Sequence, residues 1–71
     1  MKILTAEQVK RLPVGTDIKI VQNSTGRYSL AYIVKSGRKK MLKKPLMDPV
    51  VIIDRVGYHY ERVEENEVQG L

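Results

Sequence analysis

Seventy-one residues bound the chain to one small domain. With no Cys, Trp or Phe, disulfides and thiolate metal sites are excluded, and the core must be aliphatic with Tyr as its only aromatic. Thirteen basic against eight acidic residues leave a net charge of +5, which favours a polyanionic partner, while no apolar run approaches the length of a membrane span.

The opening Met1-Lys2-Ile3-Leu4 turns polar too soon for a signal peptide. Thr5-Ala6-Glu7-Gln8 has the form of a capping box, with Thr5 capping a helix start and Gln8 reaching back to its amide. Pro13 ends that helix after one or two turns. From Asp17 to Ile20 polar and apolar residues alternate, the period of a half-buried strand. Asn23-Ser24-Thr25-Gly26 is a turn, and residues 27–35 alternate again, with Tyr28, Leu30, Tyr32 and Val34 on one face. Ser36-Gly37 reads as a two-residue hairpin turn, after which the chain returns as a basic strand ending at Pro45.

Residues 44–49 hold two prolines and form a loop. Val50-Val51-Ile52-Ile53 is apolar throughout and reads as a strand buried on both faces. A last strand spans residues 58–63, with Tyr58, Tyr60 and Arg62 on one face and His59, Glu61 and Val63 on the other. The acidic segment from Glu64 to Leu71 is expected to be a frayed tail, and Glu61 is grouped with its solvated carboxylates. Residues 1–63 are thus read as a single mainly all-β domain, five short strands after a short N-terminal helical turn. Neighbouring strands in such a chain usually pair, so an antiparallel meander is the expected topology.

Leu12-Pro13-Val14-Gly15-Thr16, leading into the alternating Asp17-Ile18-Lys19-Ile20, resembles the opening of the first strand of SH3-like small barrels. The complete chain is also similar to a small Bacillus prophage protein of that kind. The resemblance implies a five-stranded SH3-like barrel, a phage origin and the cytoplasm of a bacterial host. It brings no activity, cofactor or site residue with it.

The chemistry of an enzyme is not legible. His59 is the lone histidine, with no carboxylate or histidine partners at metal-ligand spacing. No nucleophile elbow and no phosphate loop occur, and so small a core promises no deep pocket. The expectation is a monomeric, non-enzymatic protein without cofactor, metal, small-molecule ligand or membrane association.

What remains is the stretch from Lys35 to Lys44. Six of its ten residues are basic, whereas the rest of the chain carries seven basic and eight acidic residues. Lys35, Arg38, Lys39, Lys40, Lys43 and Lys44 are candidates to hold the phosphates of DNA or RNA. Tyr28, Tyr32, Tyr58 and Tyr60 are candidates to stack bases. Against this, lysines guard exposed strand edges from aggregation, and tyrosines fill cores. A protein-interaction module, of phage origin and directed at a host or phage protein, is the alternative function.

Overall fold

The computed structural model describes residues 3–63, so the acidic tail expected at 64–71 lies outside the described residues. The chain runs β1 (Ile3–Leu4), α1 (Ala6–Lys10), β2 (Asp17–Gln22), β3 (Tyr28–Ser36), β4 (Lys39–Lys43), β5 (Val50–Val51) and β6 (Tyr58–Arg62). The mainly β reading holds, with one more strand than expected. Six strands form a single antiparallel sheet in the order β1-β6-β2-β3-β4-β5. The sheet is not closed into a barrel.

The capping box forms as its sequence dictates. The Gln8 amide donates to Thr5 Oγ1 at 3.2 Å, and the Thr5 amide donates to Gln8 Oε1 at 2.9 Å. A five-residue helix is too short to be stable alone, so tertiary contacts must hold it. Val9 and Ala6 supply them from inside the core, and the Ala6 amide donates to Asp54 Oδ1 at 3.1 Å.

Cross-strand partners share a face of the sheet. The pairs Ile18–Ala31, Ile33–Leu42 and Ile20–Tyr60 all face inward. Ile18, Ile33, Leu42, Ile52 and Val9 are fully enclosed there. Each such side chain is worth about 1.5–3 kcal/mol relative to exposure. The core is aliphatic with one Tyr, as the composition requires.

Two strand expectations are corrected. The hairpin loop is Gly37-Arg38, one residue later than Ser36-Gly37, because Ser36 pairs with Lys39. Gly37 has a φ of 62° and Arg38 is not left-handed, the combination of a type II′ turn with Gly at its first central position. The apolar run at residues 50–53 is not buried on both faces. Only Val50 and Val51 are strand, and they form the sheet's outer edge at 47% and 53% exposure.

After Val51 the chain leaves the edge. Ile52 turns into the core, and Asp54 caps α1. Before Val50, Pro49 and Pro45 have no N–H to give a ladder. The edge strand is cut short from both sides, which leaves the sheet open between β5 and β1.

Candidate functional site

The six basic residues do not form one ridge. Lys35 and Lys40 are cross-strand partners on the face of Ile33 and Leu42, whereas Lys39 and Lys43 lie on the face of Val34 and Tyr32. Two of the amines are engaged within the fold. Lys40 Nζ donates to the Leu12 carbonyl at 2.6 Å, tying the hairpin to the end of the helical segment. Lys43 Nζ donates to the carbonyls of Met47 at 2.9 Å and Lys44 at 3.3 Å, closing the turn after β4. Lys35, Arg38 and Lys39 stand exposed around the hairpin tip, and Lys44 is half-buried. Nor are these lysines guards of a continuous edge, since β5 pairs outside β4 at Met41 and Leu42.

The four tyrosines separate in the same way. Tyr28 and Tyr32 point outward from β3, with Tyr28 53% exposed and the Lys19 ammonium 4.8 Å from its ring centre. Tyr58 and Tyr60 point to the opposite face of the sheet. Tyr60 is in the core, its hydroxyl donating to the Ile53 carbonyl at 2.8 Å, so it offers no surface for stacking. Burial raises the Tyr60 hydroxyl above the usual tyrosine value, and the charge of Asp54 adds in the same direction. Tyr58 is half-buried, with the Arg55 guanidinium 4.6 Å from its ring. The stacking candidates on the outer face therefore reduce to Tyr28 and Tyr32.

That outer face has a definite composition. Across β2, β3 and β4 the register places Lys19 opposite Leu30, Tyr32 opposite Lys43 and Val34 opposite Met41, with Lys39 at the hairpin end. It is a strip of aromatic and aliphatic groups with cations among them and two carboxylates on the same face, Asp17 opposite Tyr32 and Glu61 opposite Lys19.

Glu61 is not part of a solvated tail. It is buried, and His59 Nε2 donates to its Oε2 at 2.5 Å, while His59 Nδ1 meets Asn23 Oδ1. The sequence signal was the spacing itself, since residues two apart on a strand share a face. The cluster fastens β6 to the β2–β3 turn. No group of three or more His, Cys, Asp or Glu among the described residues is placed to hold a metal ion.

One feature was not foreseen. The expectation of no deep pocket is corrected by an apolar cleft of about 380 Å³ between the two ends of the open sheet. Its walls come from β1 and β5, and Ile20, Leu42 and Tyr60 contribute to its lining. Ile3, Met47, Val50, Val51 and Ile53 all line it and are all about half exposed or more. Sequence reading took the last three for core, because alternation cannot show which strand will lie at an edge.

No family model matches the chain, and no curated protein or solved structure matches it either.

Proposed function

We propose that the protein is a non-enzymatic binding module whose outer sheet face takes single-stranded nucleic acid. The observation that carries this reading is the register of β2, β3 and β4. It sends Tyr28 and Tyr32 to the face that also bears Lys19, Lys39 and Lys43, with Arg38 at the turn. Flat aromatic rings beside cations suit a chain of bases joined by phosphates. The arrangement of β2 through β5 as a meander, with β6 returning beside β2, supports membership of the SH3-like small barrels in an opened form. Prophage origin, a bacterial cytoplasmic location and a monomeric state belong to the same proposal.

The test is fluorescence anisotropy with a labelled oligothymidylate of about 15 nucleotides, a length within the range one small barrel covers. Contacts from the exposed Arg38 and Lys39 predict a log–log salt slope of about −1.4 on a single strand. Tyr32→Ala should weaken binding by about tenfold or more while the fold persists, since one stacked base is worth about 1–3 kcal/mol. No binding at tens of micromolar protein in low salt would refute the proposal.

A second reading, a protein-interaction module, is favoured by one specific observation: the apolar cleft between β1 and β5.

A further inference from the structure

We infer that the cleft between the sheet's two ends binds a short extended peptide of a partner protein, added as a strand to the edge of β5. The peptide carries apolar side chains at alternate positions and acidic residues beside them. This rests on the second reading above and is independent of nucleic-acid binding on the outer face.

The backbone supplies the first argument. β5 and β1 are the terminal strands of the sheet, so each has one side with no partner strand among the described residues. Both line the same cleft. A peptide lying there can continue the ladder of β5 and place alternate side chains against Ile20, Leu42 and Ile53 below it. Successive strands of this sheet alternate in direction, so β1 and β5 run antiparallel to one another. An inserted strand can be antiparallel to only one of them. Pairing with β5 is the better choice, because its neighbour Ile53 also lines the cleft and antiparallel ladders are slightly more stable.

Charge selects the flanks of the peptide. Lys44 and Arg55 line the cleft, and the basic strand β4 lies beside β5. Asp48 and Asp54 balance these two cations within the lining, so the positive field at the cleft comes from β4 and from the chain as a whole. A chain of net charge +5 favours an acidic partner. The same charge disfavours a second copy as the occupant. So does size, because a cleft of about 380 Å³ admits a few side chains and not a globular domain. The β5 edge is only two residues long, so backbone pairing alone is weak and the apolar contacts must supply most of the affinity.

The experiment selects from a phage-displayed random heptapeptide library on the immobilised full chain. The winning peptide is then synthesised with a fluorescein label and titrated against the full chain by anisotropy and amide NMR. The expected winners alternate apolar residues, include Asp or Glu, bind in the micromolar range and slow amide exchange at Val50–Ile53. Val50→Lys and Ile53→Lys, both at half-exposed positions, should each weaken the peptide at least tenfold, with folding checked by circular dichroism. Leu30→Lys, exposed on the opposite face, should leave it unchanged. Winners whose shifts map to the β2–β3–β4 outer face would overturn the cleft assignment while leaving a protein-binding module. No enrichment would overturn both. Concentration-dependent self-association abolished by Val50→Lys would give the cleft to a second copy and overturn the peptide.

Discussion

Tyr60 shows how much one side chain can hold. Its ring completes the inner face opposite Ile20, and its hydroxyl bonds the Ile53 carbonyl on the segment that leaves the sheet edge. Tyr60→Phe keeps the ring and deletes the hydrogen bond, which should cost about 1 kcal/mol in urea unfolding. It should also change the alkaline limb of stability. The folded hydroxyl titrates above the usual tyrosine value, because burial disfavours the phenolate and the charge of Asp54 adds in the same direction. Its contribution is complete below the unfolded value of about 10 and is lost as pH rises through the higher folded value. The variant should therefore lose less stability than the parent between neutral pH and the alkaline range. Equal losses would show that Tyr60 is not the group responsible.

At the scale of elements, the hairpin of β3 and β4 was legible and its register was not. Alternation located both strands and assigned Tyr28, Leu30, Tyr32 and Val34 to one face. A shift of one residue in the turn nevertheless decides which lysines join them. Gly37 sets that register through its positive φ, and a Cβ built there meets nothing within 4 Å. Gly37→Ala is thus a test of conformation alone. It should destabilise the protein by about 1–2 kcal/mol with the urea slope unchanged. A neutral effect would mean that the turn tolerates another geometry, and with it another register. The helix was legible for the opposite reason: a capping box and a proline are local signals, and the structure keeps both ends where they stand.

At the scale of the whole molecule, the sheet is open and its ends are its thinnest parts. β2, β3 and β6 each have a partner on both sides, whereas β1 and β5 are two-residue strands with a partner on one. Native-state hydrogen exchange should follow that order, with amides of β2, β3 and β6 exchanging last and those of β1 and β5 first. Protection of Val50–Val51 equal to that of β3 would indicate a closed sheet instead. The opening also accounts for the cleft, since a barrel closed by a β1–β5 ladder would leave no gap between those strands.

The sequence alone determined the class of this protein. Strand periods, a local helix cap, an aliphatic core and a basic hairpin are all short-range or compositional properties. Only the tertiary structure decided that the basic residues divide between two faces, that Tyr60 and Glu61 are buried, and that an apolar run becomes an exposed edge. Those outcomes depend on which strand lies beside which. Pairing is a long-range choice, made by the prolines that shorten β5, by Asp54 reaching α1 and by Ile52 turning inward, and no local pattern of residues records it.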